Sequence, residues 1–208
     1  MPKPDFDLYL VTDRKLTLGQ DLLPVLERAL DGGVKAIQLR EKDLGGKELF
    51  ELAAKIAVLC QRYNAQLFVN DRIDVALAVD AAGVQLGKTS IPVETARALL
   101  GPDKQIGVST HSIEEAKDAE RYGADFVLFG PVYFTPSKAS FGKPQGLAAL
   151  KKIVENVSLP VYAIGGIKPG NIPEVKPTGV HGVALIAAII GAADPTAESK
   201  KILQLLRE

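Results

Sequence analysis

The sequence predicts an α/β fold, a single-domain (β/α)8 TIM barrel over residues 1–208. Three observations predict it. Short apolar segments alternate with longer amphipathic segments from one end of the chain to the other. The apolar segments are almost continuous in aliphatic residues, as in strands buried on both faces of a parallel sheet. The length of 208 residues is close to the lower limit for eight strand–helix units. A doubly wound open sheet is the alternative.

Eight apolar segments predict the strands, at residues 8–11, 36–39, 66–69, 83–86, 105–108, 126–129, 160–164 and 182–186. Periodic segments between them predict helices, which include residues 22–30, 47–62, 92–100, 113–122, 146–154 and 196–207. Glycines stand where helix C-caps are expected, at Gly33, Gly101, Gly123 and Gly179. The seventh helix, near residues 171–177, is predicted to be weak because two prolines interrupt it.

Composition excludes several classes of function. The 25 basic and 25 acidic residues give zero formal net charge, so a basic site must be local. Cys60 is the single cysteine, which excludes a disulfide framework, and its apolar helical surroundings predict a core position. No apolar segment reaches membrane length and the N-terminus lacks a signal-peptide core. We therefore expect a cytoplasmic protein with no nucleic-acid or membrane partner, and the sequence leaves its oligomeric state open.

The segment after the second strand is the strongest functional signal. On an extended strand Gln38, Arg40 and Lys42 share one face, because side chains alternate. An amide and two cations suit a phosphate group, for which Arg offers a planar donor fork and Lys a point charge. The alternative is a solvated strand end with surface charges.

Polar residues also follow the third and fifth strands. Asn70 and Asp71 form either a turn or, beside phosphate, a site where Asp71 holds Mg²⁺. Ser109 is expected to face the barrel mouth, and His111 is either a cap residue or a proton-transfer group. Ser112 fits a capping box with the glutamate three residues later. The second histidine, His181, precedes the eighth strand and is expected to be structural.

The long sixth loop and the last two strand ends predict a second anion site. In the loop, Thr135, Ser137 and Lys138 suit an anionic substrate. The aromatic residues that would cover the substrate are Tyr133, Phe134 and Phe141. The alternative is a plain loop without function. After strands seven and eight, the small residues at 165–166 and 186–187 let backbone N–H groups approach a phosphate.

Six segments together resemble the thiamin phosphate synthases over nearly the whole chain: residues 9–13, 38–43, 69–72, 107–111, 130–133 and 163–167. The resemblance implies a (β/α)8 barrel that joins a hydroxymethylpyrimidine diphosphate to a thiazole phosphate and releases pyrophosphate. It assigns the pyrimidine diphosphate to Gln38, Arg40, Lys42, Asn70, Ser109 and Lys138. It assigns the thiazole phosphate to Thr135, Ser137, Gly166, Ile186 and Ala187. Three residues inside or beside these segments join the expected substrate-binding set: Leu39, Glu41 and Pro136. The expected catalytic residues are Arg40, Lys42 and Lys138, with His111 in the alternative below.

The resemblance also implies Mg²⁺ on Asp71 and on one further Asp, but here Ser90 occupies that second position. The family's usual His-x-Gly-Gln-x-Asp segment reads Gln-Leu-Gly-Lys-Thr-Ser at residues 85–90, and Lys88 is a candidate replacement for part of the lost positive charge. These departures point to a sister group, the thiazole tautomerases, in which His111 would be the acid/base. A non-catalytic binding barrel is the third hypothesis.

Overall fold

Eight parallel strands form a closed barrel in sequence order in the computed structural model, which describes residues 4–135 and 143–208. The strands are β1 (Leu8–Val11), β2 (Ala36–Leu39), β3 (Gln66–Asn70), β4 (Gly83–Leu86), β5 (Gln105–Thr110), β6 (Phe126–Phe129), β7 (Val161–Ile164) and β8 (Gly182–Leu185). The barrel closes because β1 pairs with both β2 and β8, with Leu8 opposite Val183. This closure confirms the predicted barrel and excludes the open sheet.

Helices connect the strands, and all the predicted ones are present. They are α1 (Leu22–Asp31), α2 (Gly46–Arg62), α3 (Ile73–Ala78), α4 (Val93–Leu100), α5 (Ile113–Arg121), α6 (Gly146–Asn156), α7 (Ile172–Val175), α8 (Ala187–Ile190) and α9 (Pro195–Arg207). The seventh connection is fragmentary as predicted, because α7 is a single turn between 3-10 turns at Pro169–Asn171 and Lys176–Thr178. Across the described ranges, no helix is both long and apolar enough to cross a bilayer.

Alternation along the strands divides the apolar residues into two layers. Outward-facing residues such as Ile37 and Val69 pack beneath the helices in the larger core cluster. Inward-facing aromatic residues fill the lower part of the barrel: Phe6, Tyr9, Phe68, Phe126 and Tyr162. Gly107 makes room for them, since a Cβ there would lie 2.4 Å from the Phe126 ring. This aromatic floor leaves the carboxyl ends of the strands as the open end of the barrel.

Two isolated residues lie where the sequence predicts. Cys60 is buried in α2, and this burial raises the pKa of its thiol to about 12, as expected for a core residue. His181 lies at the lower end of the barrel, where its Nε2 is 3.1 Å from the carbonyl oxygen of Pro4 and its ring contacts Tyr162. The C-cap prediction is confirmed for Gly101 and Gly179, whereas Gly33 and Gly123 lie one residue beyond the C-caps of α1 and α5. All four have positive φ.

The second strand is too short to carry Gln38, Arg40 and Lys42 on one face, contrary to the sequence prediction. It ends at Leu39, so Arg40 and Lys42 belong to the following loop rather than to the strand. The ladder stops there because the Arg40 N–H donates to the Thr12 hydroxyl, at 2.9 Å, instead of to a strand carbonyl. By contrast, β3 and β5 extend one and two residues beyond their predicted ends. Asn70 and Ser109 therefore lie within these strands, near their carboxyl ends.

Candidate active site

The upper rim of the barrel has two chemically different halves. On consecutive strands β2 to β5, the inward-facing positions nearest the rim carry amides and a hydroxyl, from Gln38, Asn70, Gln85 and Ser109. On the other strands the corresponding positions are apolar, with Leu128, Ile164, Ile186 and Val11 packed on the aromatic floor. We call these the amide half and the apolar half. The amide half offers hydrogen bonds to a polar ligand, whereas the apolar half offers packing.

Hydrogen bonds organise the amide half. The Gln85 Nε2 donates to the Ser109 Oγ at 3.1 Å, which leaves the Ser109 proton for an acceptor in the mouth. Ser109 therefore faces inward as expected. Beneath Gln38 lies the fully buried Tyr9, and burial raises the pKa of its hydroxyl well above its ordinary value. Tyr9 stays neutral beneath the Gln38 amide.

Arg40 and Lys42 supply the positive charge on this side of the rim. Arg40 is half-buried and Lys42 is exposed. Within residues 4–135 and 143–208, neither side chain makes an ion pair or a hydrogen bond to another residue. Both charges are therefore available to an anion.

Two neighbours of these cations do not present their side chains to the mouth. The carboxylate of Glu41 accepts from the Arg14 backbone N–H and from Arg14 Nη1, at 3.0 Å each, and is almost completely buried. Both side-chain oxygens of Glu41 bond Arg14, so its expected part in substrate binding, which stays a prediction, could come only from its backbone. Leu39 packs in the outer layer beneath the helices, so only its backbone can reach a ligand.

Asp71 and Ser90 are in direct contact, although they are 19 positions apart in the sequence. The Ser90 hydroxyl donates to Asp71 Oδ1, and the Asn70 Nδ2 donates to Asp71 Oδ2 at 2.8 Å. Ser90 Oγ also accepts from the Gly87 N–H at 2.6 Å. Position 90 thus lies where a second metal ligand would have to be, and it holds a hydroxyl in place of a carboxylate.

His111 lies at the rim with a partly exposed ring. Its backbone N–H donates to Glu115 Oε2 at 2.7 Å, and its Nδ1 is 3.3 Å from the same oxygen. The Ser112 Oγ accepts from the Glu115 N–H at 3.1 Å, which confirms half of the predicted capping box. The other half is wrong, because the Glu115 carboxylate bonds the His111 N–H rather than that of Ser112.

On the apolar half, a glycine pair follows β7. Gly165 and Gly166 have φ values of 95° and 67°, which favour glycine. A Cβ on Gly166 would lie 2.5 Å from the carbonyl oxygen of Phe134, so a side chain there would displace the base of the sixth loop. Asn171 fixes the turn by donating from Nδ2 to the Gly166 carbonyl oxygen at 3.0 Å.

The remaining predicted residues of this half are only partly described. Ile186 caps the short helix α8 and Ala187 begins it, as the predicted backbone site requires. Thr135 is half-buried beside the described part of the sixth loop. Four residues given a role in that loop lie outside the described residues: Pro136, Ser137, Lys138 and Phe141.

The family model described as thiamine monophosphate synthase matches residues 8–189. The chain belongs to this family. A putative thiamine-phosphate synthase from Geobacter sulfurreducens is 50% identical over 206 residues, which cover 99% of this chain and 97% of the relative. A thiamine-phosphate synthase from Desulfitobacterium hafniense is 45% identical over 203 residues, 98% of each chain. Among solved structures, thiamine phosphate pyrophosphorylase from Pyrococcus furiosus superposes with a TM-score of 0.89 at 42% identity, covering 97% of this chain and 96% of that one.

A more distant structure shows the breadth of the fold alone. A 3-hexulose-6-phosphate synthase superposes with a TM-score of 0.68 at 20% identity, over 96% of this chain and 99% of that one. The thiamine monophosphate synthase family therefore shares its barrel fold with other proteins.

The donor set around Asp71 allows only one kind of metal site in this member of the thiamine monophosphate synthase family. In the described part of the chain, no three His, Cys, Asp or Glu residues gather as a metal-binding group. One carboxylate with a hydroxyl and an amide fits Mg²⁺ only if phosphate oxygens and water complete its shell. A metal here would depend on a phosphorylated ligand.

Sequence reasoning assigned no role to Thr12, which lies in the family-like segment 9–13, and it missed Arg14. Thr12 holds the Arg40 backbone, and Arg14 holds Glu41. The sequence does show polar residues directly after β1, at positions 12–15. They lie at the same end of the barrel as the segment after β2, which could have indicated that the two segments meet. Their contacts span 27 and 28 residues, so no local pattern identifies the partners.

Proposed function

We propose that the chain is a thiamine-phosphate synthase. It joins 4-amino-2-methyl-5-(diphosphooxymethyl)pyrimidine to thiazole phosphate and releases pyrophosphate; when the thiazole carboxylate is the substrate, its carboxyl group leaves as CO2. The observation that carries the proposal is the pair of uncommitted cations, Arg40 and Lys42, at the rim beside the amide half. Full-length relatives named for this activity, at 45–50% identity, support it.

In this proposal Arg40 and Lys42 bind the diphosphate and stabilise its charge as it departs. The bond between the pyrimidine methylene carbon and the diphosphate oxygen breaks, and its electron pair leaves with pyrophosphate. The thiazole nitrogen donates its lone pair to the methylene carbon and forms the new C–N bond. Ser109 donates to a diphosphate oxygen, and Lys138 adds the third cation that the resemblance implies. Positioning and electrostatic stabilisation supply most of the rate.

The thiazole phosphate is assigned to the apolar half. The backbone N–H groups near Gly166 and at the start of α8 would bind the phosphate, because small residues let it approach the chain. Ile164 and Ile186 would pack on the ring. The two substrates would then meet above the aromatic floor, with water displaced between them.

Asp71 would hold Mg²⁺, with Ser90 beside it. When bound, the metal supplies positive charge to the oxygens of the departing diphosphate. Because only one carboxylate is present, the proposal assigns most of the charge stabilisation to the cationic side chains.

The test incubates purified protein with both phosphorylated precursors, with and without Mg²⁺, and follows pyrophosphate and the thiazole isomers separately. Equal release of pyrophosphate and thiamine phosphate is the expected result. Isomerisation of the thiazole carboxylate without pyrophosphate release would contradict the proposal, as would binding of the precursors without turnover.

The thiazole tautomerase is the second candidate, and the contact between His111 and Glu115 favours it. A carboxylate on Nδ1 orients an imidazole for proton transfer at its other nitrogen. For a synthase, which transfers no proton at His111, we expect His111→Ala to keep the coupling rate within about threefold. For a tautomerase, His111→Ala would abolish isomerisation while Asp71→Asn has little effect. Both variants are measured in the two assays above.

Restoring a carboxylate at position 90 is expected to strengthen Mg²⁺ binding. In Ser90→Asp, a second charged ligand lies beside Asp71, so the Mg²⁺ concentration for half-maximal activity should fall about tenfold. Without metal the two carboxylates repel each other, so the melting temperature of Ser90→Asp should rise with added Mg²⁺ and pyrophosphate more than that of the natural chain.

Ser90→Ala is the control, because it removes the hydroxyl without adding charge. It should leave the Mg²⁺ dependence weak. Identical Mg²⁺ dependence in Ser90→Asp and Ser90→Ala would show that position 90 does not contribute to a metal site.

A further inference from the structure

Hydrogen bonds join the segment after β1 to the end of β2 and to the loop that follows it. The Thr12 N–H donates to the Gln38 carbonyl oxygen at 2.9 Å, and the Thr12 Oγ1 accepts from the Arg40 N–H at 2.9 Å. Thr12 is fully buried. Arg14 then donates from its backbone N–H and from Nη1 to the Glu41 carboxylate. Gln38 at the end of β2 and Arg40 and Glu41 in the loop that follows are thus held by the side chains and backbone of the first loop. We call Thr12 and Arg14, with these contacts, the loop clasp.

The loop clasp also neutralises the two acidic residues that flank Lys42. Besides its contact with Glu41, Arg14 makes two hydrogen bonds to Asp43, at 2.7 and 3.0 Å. Lys15 adds a contact to Asp43 at 2.8 Å. The Arg14 and Lys15 side chains hold the pKa of Asp43 well below its usual range.

The charge balance at this rim follows from these pairs. Two cations of the first loop, Arg14 and Lys15, offset the two carboxylates of the second loop. Asp13, also on the first loop, makes no ion pair in the described residues and accepts a hydrogen bond from the Lys15 N–H, so the two loops together carry one net positive charge. The cations that stay unpaired there are Arg40 and Lys42. Without Arg14, the buried Glu41 carboxylate would lie uncompensated between them and would repel an anion.

We propose that Thr12 and Arg14 are positioning residues for the diphosphate site. Thr12 fixes the backbone at Arg40, and Arg14, together with Lys15, offsets the negative charge of Glu41 and Asp43, so that a diphosphate meets two cations without ion-pair partners in the described residues. The identity of the ligand rests on the proposed function; the clasp itself rests on the contacts above. Glu41 acts through Arg14 and does not touch the ligand.

The test measures binding of inorganic pyrophosphate by calorimetry to the purified full-length chain at a fixed Mg²⁺ concentration. Arg14→Met and Thr12→Val should each weaken binding about tenfold or more, since Arg14→Met unmasks Glu41 and Thr12→Val frees the Arg40 backbone. Thr12→Ser keeps the acceptor and should bind within about twofold of the natural chain. The matched control is Arg62→Met, which removes an exposed arginine paired with Glu27 on the outer helices.

A double substitution separates positioning from general damage to the fold. If Arg14 acts by neutralising Glu41, the double variant Arg14→Met/Glu41→Gln should bind pyrophosphate at least about threefold more tightly than Arg14→Met alone. In turnover, the KM for the pyrimidine diphosphate should rise in Arg14→Met while the KM for thiazole phosphate stays within about twofold. A protein that is merely destabilised would lose both affinities together.

Several results would overturn the proposal. One is pyrophosphate affinity in Arg14→Met and Thr12→Val equal to that of Arg62→Met. Others are equal losses in Thr12→Val and Thr12→Ser, no recovery in the double variant, or no pyrophosphate binding by the natural chain. Weakened pyrophosphate binding in the clasp variants of a chain that forms no thiamine phosphate would support the clasp and overturn the proposed function.

Discussion

Arg40→Ala is expected to lower the rate of coupling by about 10²–10³-fold, or about 3–4 kcal/mol of transition-state stabilisation. The reason is the state of Arg40 in the structure. Its backbone N–H donates to Thr12, which fixes the position of the residue. Its guanidinium makes no ion pair in the described part of the chain, so it can bind an anionic ligand. Negative charge on the diphosphate increases as it departs. Removal of the Arg40 donor therefore destabilises the transition state more than it weakens substrate binding. The measurement is kcat/KM from pyrophosphate release.

Two variants control for this prediction. Arg40→Lys keeps the charge but loses the planar donor fork, so its rate should fall between those of Arg40→Ala and the natural chain. Arg62→Ala removes an arginine from an exposed pair with Glu27 and should leave the rate unchanged. Near-natural coupling in Arg40→Ala would remove Arg40 from the diphosphate site. The sequence predicts a loss of the same size for Lys138→Ala, although Lys138 lies outside the described residues.

The fold could be predicted because strand burial leaves a direct mark on the sequence. Strands β1, β2, β4 and β6 have the predicted bounds, since polar or glycine residues follow each apolar segment at once. The predicted ends of β3 and β5 fall short because Asn70 and Ser109 are polar residues that continue the strand. Both side chains face the open end of the barrel, where a strand residue can be polar. A prediction from apolar segments therefore stops before these positions.

The site could be predicted residue by residue but not contact by contact. The sequence placed Asn70, Asp71 and Ser109 at the rim, and the family pattern correctly put Ser90 next to Asp71. It grouped Glu41 with the substrate-binding residues, because nothing local shows that Arg14 takes its carboxylate. Which charges cancel depends on how adjacent barrel loops pack. That packing joins residues far apart in the chain, so a net-neutral sequence can still hold a cationic rim.

The strongest expected effect on stability is at Arg97, outside the proposed site. Arg97 extends from α4 beneath β5 and β6, where its side chain is only 16% exposed. It donates to Asp125 Oδ2 at 2.5 Å and to three backbone carbonyl oxygens, those of Gly101, Lys104 and Gly123. The Asp125 side chain is 4% exposed and also accepts from the Ile106 N–H at 2.6 Å. One guanidinium thus joins the end of α4 to the loops that precede β5 and β6.

Arg97→Met is expected to lower the free energy of unfolding by about 3–5 kcal/mol, because it leaves the Asp125 carboxylate buried without a counter-charge. Denaturant unfolding measures this loss. Arg62→Met is the matched control, since an exposed pair contributes at most about 1 kcal/mol. In Arg97→Met/Asp125→Asn the buried charge is gone, so part of the loss should be recovered. Because the pair is remote from Arg40 and Lys42, kcat/KM of the folded fraction should stay unchanged. A loss no larger than that of Arg62→Met would mean that the Arg97–Asp125 pair does not hold this side of the barrel together.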